Sequence, residues 1–189
     1  MKRSRILVAA AALGLTVACP RLARADSAVE LEAAARIGAA SSPGWIANPY
    51  ALGFGGRAGA SFYGFYGGIS ALYYLGGSGG ESGFHTVLVG VEAGYTFKLP
   101  HLRLRPQVGV GGGTFMQEAS DGALNPPITT TVGNVYVEPG LVVLFPVGPI
   151  FLGADANALL LPRFTLATPG ATARTYASFS AHGQIGVFF

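Results

Sequence analysis

Apolar and polar residues alternate along almost the whole chain, and this alternation is the feature that most restricts its fold. In the stretch near 84–98, Val87, Val89 and Val91 share one parity, whereas Glu92 has the other. A two-residue period places successive side chains on opposite faces, as in a β-strand. Eight such stretches follow one another, and we predict strands near 28–38, 50–62, 65–75, 84–98, 102–115, 133–145, 150–160 and 174–189.

Formal charges are confined to one face of these predicted strands. The apolar faces carry none, whereas the opposite faces, which are otherwise rich in Gly, Ser and Thr, carry ten. The ten are Glu30, Glu32, Arg36, Arg57, Glu92, Lys98, Arg103, Arg105, Glu138 and Asp155. His182 lies on the same face of the last strand.

Short and long connections alternate between the predicted strands. The short connections are 63–64, 99–101 and 146–149, and each contains Gly or Pro. The long connections are 41–49, 76–83, 117–131 and 161–173. A strict alternation puts all tight turns at one end of the sheet. The chain is therefore predicted to be all-β, an eight-stranded antiparallel up-and-down barrel.

Two architectures fit the alternation of faces. A soluble lipocalin-like carrier directs its apolar faces inward, whereas a transmembrane β-barrel directs them toward lipid. Small residues on the polar faces suit a narrow barrel interior better than a solvated surface. Aromatic residues also cluster near strand ends, where membrane barrels carry two interfacial girdles. They are Tyr50, Phe62, Phe65, Tyr73, Tyr95, Phe97, Phe145 and Phe189, with Trp45 in the first long connection. We therefore predict a transmembrane barrel with its apolar faces outward.

The first 25 residues differ in composition from the rest of the chain. MKRSR is positively charged, ILVAAAALGLTVA is apolar, and Ala23-Arg24-Ala25 is a small-x-small cleavage site. This order is typical of a secretory signal peptide. We predict a signal peptide over 1–25 and a single barrel domain over 26–189.

Cys19 is the only cysteine, so an intrachain disulfide is excluded. Val17-Ala18-Cys19 resembles part of a lipobox, but Thr16 and Pro20 depart from that motif, and we expect Cys19 to leave with the signal peptide. Five of the 12 Lys and Arg residues also lie in this segment, which leaves 7 basic residues against 9 acidic ones. The barrel domain therefore offers no basic patch for nucleic acid.

The predicted barrel domain resembles the small eight-stranded OmpA/OmpX-type outer-membrane barrels in strand number, alternation and connection lengths. Its last strand, with Phe179, Ile185, Val187 and Phe189, is similar to the C-terminal assembly signal of such proteins. The resemblance implies a location in a Gram-negative outer membrane. It also implies contact with membrane lipid and lipopolysaccharide, and with the barrel-assembly machinery during biogenesis.

The charged faces are expected to form an ionic network inside the barrel. An eight-stranded barrel has an interior just wide enough for side chains to fill, and buried charges must pair. Neighbouring strands suggest that Glu32 contacts Arg57, and that Arg103 and Arg105 contact Glu92 or Glu138. A narrow ion or solute pore is the alternative, and a salt-bridged plug would close it.

One cluster in the sequence has the residue types of a hydrolase. Ser178, Ser180 and His182 share the polar face of the last strand, and Asp155 is expected roughly opposite Ser180. This face points into a filled lumen, where no lipid substrate reaches it. His85 is a lone histidine on an apolar face.

The sequence contains no metal-ligand cluster, phosphate loop or nucleophile elbow. We therefore predict no catalysis, no cofactor and no metal. The expected role is structural or one of surface contact, through loops such as 116–131 with an unknown extracellular partner. A lipid-active barrel enzyme is the remaining alternative.

Overall fold

The strands of the computed structural model form one closed antiparallel barrel. The structure describes residues 29–41, 48–77, 82–119, 128–164 and 174–189. Its strands are β1 Val29–Ser41, β2 Ala51–Phe62, β3 Phe65–Leu75, β4 Ser82–Tyr95, β5 Arg103–Ala119, β6 Ile128–Val147, β7 Ile150–Phe164 and β8 Arg174–Phe188. After Thr96, β4 resumes over Phe97–Lys98. Among the described residues, no helix is long and apolar enough to span a membrane.

The ring closes because each strand pairs with the next along the chain and β1 also pairs with β8. In the closing register Arg36 lies opposite Gln184. The ladder reaches the last residue, since the amide of Phe189 donates to the carbonyl of Leu31 at 2.9 Å. The predicted eight-stranded antiparallel up-and-down barrel is therefore confirmed. The predicted signal peptide over 1–25, Cys19 and Trp45 lie outside the described residues.

Side-chain burial shows which face lies inside. Ile69 is 63% exposed and Val91 is 60% exposed, whereas Arg105 is fully buried. Arg36 and Arg57 are also buried. This distribution is the reverse of that in a water-soluble domain, whose large apolar side chains are buried and whose arginines are exposed. The apolar faces point outward, as predicted.

The tight turns lie at one end of the barrel and require an unusual backbone. Tyr63 and Gly64 both have positive φ, 48° and 87°. Two such residues make a type I′ turn, whose twist matches that of the strands it joins. Gly148, with φ of 65°, provides the positive φ in the tight turn between β6 and β7. Between β4 and β5, the amide of Leu99 donates to the carbonyl of Leu102 at 2.9 Å.

Several strands extend beyond their predicted bounds, and the largest change affects the connection between β5 and β6. Strand β5 continues to Ala119 and β6 already begins at Ile128, so the connection between them is 120–127 rather than 117–131. The segment Ile128–Thr131 is a run of β-branched residues, which favour strands. Its four residues do not alternate in polarity, so the two-residue periodicity does not predict a strand there.

Tyr50 corrects the predicted outward girdle. Alternation from Leu52 and Phe54 assigns Tyr50 to the outer face, yet its side chain is completely buried inside the barrel. The cause is Ala51, the first residue of β2, whose φ of 44° turns the preceding side chain, that of Tyr50, to the opposite face. An alanine gives no sequence signal for such a conformation.

The outer part of β6 projects beyond its neighbour β7. The last pair between these strands is Val137 with Leu160. Close to this pair lies Pro139, which has no amide hydrogen to donate. Beyond the pair, residues 128–136 of β6 are paired with β5 alone among the described strands. The paired ends of β5 and β6 therefore extend beyond the last pair between β6 and β7.

We predict that Gly148→Ala lowers the free energy of unfolding by about 1–2 kcal/mol, the cost of holding an L-residue in the left-handed region. A Cβ at Gly148 would meet no atom within 4 Å, so the loss would arise from the backbone alone. Urea unfolding of the refolded protein in detergent micelles measures it. The control is Gly67→Ala, which also has no atom within 4 Å but has no positive φ. Equal losses for both variants would contradict the turn assignment.

Candidate functional site

The inward side chains of all eight strands meet in the lumen, and Arg36 lies at the centre of their contacts. Its Nε donates to Oδ2 of Asp155 at 3.1 Å and its Nη2 donates to Oδ1 at 2.8 Å. Its Nη1 lies 3.5 Å from Oε1 of Glu92. These residues belong to β1, β7 and β4, which are not neighbours in the sheet. Arg36 therefore ties opposite walls of the barrel together.

Asp155 has partners on three sides. Its Oδ1 lies 2.8 Å from Nδ1 of His182 and accepts a hydrogen bond from Nδ2 of Asn157 at 2.6 Å. The other ring nitrogen of His182, Nε2, lies 2.8 Å from the hydroxyl of Tyr74. Such a carboxylate has enough partners to remain charged without water. The contacts extend the network from β7 through β8 to β3.

A second ion pair lies closer to the tight-turn end. Arg105 binds Glu32 through two parallel hydrogen bonds of 2.7 and 2.5 Å. Its Nε donates to Oγ1 of Thr96 at 2.9 Å, and its guanidinium lies 3.7 Å from the ring centre of Tyr66. A bidentate pair combined with a cation–π contact is among the stronger arrangements available to arginine.

Arg57 joins the two ion pairs into one chain of contacts. Its Nη2 lies 3.4 Å from Oε1 of Glu32, and its Nη1 lies 3.8 Å from Oε2 of Glu92. Nη1 also donates to Oε1 of Gln107 at 3.4 Å. The charged groups therefore form a continuous path from Arg105 to Asp155 across the barrel.

Glu138 lies on β6 at the edge of this path. It is buried, and Oγ of Ser180 donates to its Oε1 at 3.4 Å. No arginine or lysine nitrogen lies within 4 Å of its carboxylate in the described part of the chain. Glu138 therefore depends on hydroxyl contacts, unlike Glu32 and Asp155.

The mouth at the tight-turn end is built differently. Glu30 contacts both Arg103 and Lys98, the latter at 3.0 Å. The Lys98 side chain is 59% exposed, so Lys98 belongs to the rim. The interior position predicted from its parity is therefore wrong. Lys98 follows the break in β4 at Thr96, close to the turn, where water reaches the strand. Arg103 is less exposed and lies 4.0 Å from the ring centre of Phe188.

Apolar side chains fill the rest of the lumen. The larger cluster lies toward the long connections and contains Ala40, Tyr50, Leu72, Tyr74, Leu88, Phe115, Tyr136, Leu159 and Leu161. A smaller cluster beside the Arg105 pair contains Ala34, Val142, Leu144 and Phe151, with Phe188 packed against it. The ionic path therefore lies between apolar layers. The inner faces therefore contain large apolar side chains as well as the charged and small residues that the sequence predicted there.

Several predicted contacts have different partners in the structure. Glu32 and Arg57 lie in contact, but Arg105 contacts Glu32 rather than Glu92 or Glu138. Arg103 likewise contacts Glu30. Both arginines reach β1, which is not adjacent to β5, because the narrow lumen lets long side chains meet across it.

The candidate hydrolase cluster does not have a serine–histidine arrangement. Asp155 lies opposite His182 in the strand register, and Ser180 lies opposite Asn157. Nε2 of His182, where a hydrolase has its serine, faces Tyr74. His85 lies on the outer face, and its Nδ1 is 3.0 Å from the Tyr73 hydroxyl. Within the described ranges, no three His, Cys, Asp or Glu side chains converge to hold a metal ion.

Sequence reasoning did not single out five uncharged partners of the network. They are Tyr66, Tyr74, Thr96, Gln107 and Asn157. All have the inward parity of their strands, which was the available signal. Parity alone does not tell which inward polar residues contact a charge.

The protein is similar to known proteins in its structure and not in its sequence. No family model and no curated protein matches the sequence. Among solved structures, Neisserial surface protein A (NspA) has a TM-score of 0.56 and 17% identity, with 86% of this chain and 98% of that chain covered. The chain has the fold of the eight-stranded outer-membrane β-barrels.

Two further structures share this barrel fold. A major outer membrane protein from Thermus thermophilus has a TM-score of 0.57 and 12% identity, with 86% and 100% of the two chains covered. The N-terminal β-barrel domain of Pseudomonas aeruginosa OprF has a TM-score of 0.50 and 18% identity, with 85% and 96% covered. The expected resemblance to small outer-membrane barrels is confirmed at the level of the fold.

We predict that Arg36→Met and Asp155→Asn each lower the free energy of unfolding by about 3–5 kcal/mol, because each leaves the partner group buried without its bidentate ion pair. The double variant is expected to lose less than the sum, with a coupling energy of about 1–3 kcal/mol. Urea unfolding in micelles gives all four values.

Lys98→Met is the matched control for these variants. It removes the exposed partner of Glu30, and the expected loss is below about 1 kcal/mol, as for other surface pairs. Two results would contradict the proposed contribution of the Arg36–Asp155 pair to stability. One is that the losses of Arg36→Met and Asp155→Asn simply add in the double variant, and the other is that Lys98→Met lowers the free energy of unfolding as much as either of them.

Proposed function

We propose that the protein is an integral outer-membrane β-barrel with a sealed lumen, and that its role is structural or one of surface contact rather than catalysis. The observation that carries this proposal is the reversed polarity of the barrel. Charged groups such as Arg36 and Arg105 are buried, whereas Ile37, Ile69 and Ile185 are more than half exposed. An apolar outer surface with a closed hydrogen-bond ladder is what a bilayer requires of a β-protein.

The height of the apolar surface supports this proposal. From Tyr95 to His85, β4 presents Ala93, Val91, Val89 and Val87 outward. Ten residue steps of about 3.4 Å, tilted by roughly 40°, rise ~26 Å, close to the ~25 Å apolar band of outer-membrane barrels.

Aromatic side chains at the tight-turn end support an interfacial girdle. Phe65 and Tyr95 pack edge to face at 5.1 Å, and Tyr95 contacts Phe97 at 4.9 Å. Phe62 and Tyr63 lie beside them with ring centres 4.4 Å apart. Amphipathic rings concentrate at such a level in membrane barrels.

The filled lumen argues against a pore. An eight-stranded barrel leaves room for side chains only, and here ion pairs and two apolar clusters occupy that room. A conducting path would have to break the Arg36–Asp155 contact or displace the residues around Tyr50. We infer that the ionic network serves the stability of the barrel.

The lumen also gives no support for a hydrolase. His182 is held between Asp155 and Tyr74, and Ser180 contacts Glu138. All five residues are buried behind the strands, where a lipid substrate would not reach them. A structural role is therefore the better proposal.

Location and partners follow from the same proposal. We infer an outer-membrane location after signal-peptide cleavage near Ala25. The barrel-assembly machinery would read the last strand, with Phe179, Ile185, Val187 and Phe189. Outer-membrane lipid and lipopolysaccharide would surround the apolar face, and an extracellular partner would meet the long connections.

Cell fractionation followed by electrophoresis tests the proposal. The protein is expected in the outer-membrane fraction, with a band that migrates faster without boiling than after it, because a closed barrel resists detergent until heated. In planar bilayers the folded protein is expected to show no stable conductance steps, because its lumen is filled.

A soluble periplasmic protein without a heat-dependent shift would refute the membrane location. The apolar faces would then have to line a ligand cavity. Reproducible conductance steps from the folded protein would instead refute the sealed lumen and favour the pore.

A further inference from the structure

A shallow groove of about 570 Å³ crosses the outer face of β4, β5 and β6. Two rows of the strand register form its outward-facing surface. One row is Val87, Thr114 and Gly133, and the next is Val89, Gly112 and Val135. The volume lies within the range of small-molecule sites, ~300–1,000 Å³.

The groove exists because Gly112 and Gly133 have no side chain. They occupy outward positions beside the valines Val87, Val89 and Val135. A Cβ at Gly133 would meet no atom within 4 Å, and a Cβ at Gly112 would meet only one backbone oxygen, at 4.0 Å. Backbone therefore forms the floor, with Val87 and Val89 on one side and Val135 on the other. Small residues allow an apolar chain to approach the backbone closely inside a membrane.

A polar pair stands at the end of the groove that faces the long connections. The Tyr73 hydroxyl lies 3.0 Å from Nδ1 of His85, and the two rings are stacked with centres 5.9 Å apart. Tyr73 is the register partner of Val87, so the pair directly adjoins the groove. The Tyr73 contact uses Nδ1, which leaves Nε2 of His85 for another partner.

The depth of this pair agrees with the boundary between headgroups and acyl chains. His85 lies ~26 Å above Tyr95 along the tilted strand, at the upper edge of the ~25 Å apolar band. Below it the outer face of β4 contains Val87, Val89 and Val91. A polar pair above an apolar groove matches the distribution of polarity in one amphiphilic molecule, which has a polar headgroup above an apolar chain.

We propose that this surface binds one membrane lipid with a phosphate-bearing headgroup. The phosphate lies at Nε2 of His85, whose N–H is a suitable donor to a phosphate oxygen while the Tyr73 hydroxyl donates to Nδ1 and holds the ring in place. One acyl chain lies over Gly112 and Gly133. The inference rests on the proposed membrane location, because it requires the outer face to meet lipid.

Native mass spectrometry of the folded full chain released from membranes in mild detergent tests the site. The probes are lipid A, phosphatidylglycerol and diacylglycerol, which differ in headgroup. The wild type is expected to retain one molecule of a phosphate lipid and to retain diacylglycerol at least about fivefold more weakly, roughly 1 kcal/mol. Stronger retention of lipid A than of phosphatidylglycerol would identify lipopolysaccharide as the lipid that occupies the site. Equal retention of the two would show that the site recognises the phosphate that both lipids carry.

Gly133→Val fills the groove and is expected to weaken retention about fivefold. Its matched control is Gly67→Val, an outward glycine on β3 whose Cβ is equally free of neighbours. His85→Phe keeps an aromatic ring but removes the donor, and it is expected to abolish the preference for phosphate lipids over diacylglycerol.

The site is refuted if Gly133→Val and Gly67→Val retain lipid equally well, or if His85→Phe keeps the headgroup preference. Both refutations leave the membrane location intact, since all variants are purified as folded barrels from the membrane fraction. Absence of the wild type from that fraction would instead refute the proposed function.

Discussion

A charge buried inside a protein has no water to stabilise it, and the lumen of this barrel is organised by that constraint. The charge of Arg36 is stabilised instead by a bidentate contact with Asp155 and by a second contact with Glu92. The charge of Arg105 is stabilised by Glu32, Thr96 and Tyr66. Because the carboxylate partners of both arginines lie on strands that are not their neighbours in the sheet, the pairing of these charges also braces the barrel across its width.

In the proposed membrane location, the same lack of water explains the outside of the barrel. Backbone groups facing lipid must be satisfied by other strands, and the closing ladder between β1 and β8 continues to Phe189. Polar side chains on the outer face are tolerated only near its edges, where the His85–Tyr73 pair lies. Inside and outside are therefore two consequences of one condition, the absence of water, and the proposed lipid groove lies on the outer face.

The architecture could be predicted from sequence because strand parity and connection length are local properties. The third strand, for example, has the predicted bounds 65–75. The partner of Arg105 could not be predicted in this way, since it depends on which side chains meet across the lumen. Tyr50 was assigned to the wrong face because Ala51 adopts a positive φ that alanine rarely shows. Lys98 has inward parity, yet it lies at the rim because β4 is interrupted at Thr96.

Site-directed spin labelling tests the reversed polarity most directly. In a Cys19→Ser background, single cysteines at Ile69 and Val89 report on the outer face, and those at Ser70 and Leu88 report on the lumen. In lipid vesicles, outer positions should be accessible to oxygen but not to a water-soluble nickel chelate, and lumen positions should be shielded from both reagents. Outer positions shielded from oxygen, with Ser70 or Leu88 accessible to nickel, would contradict the account.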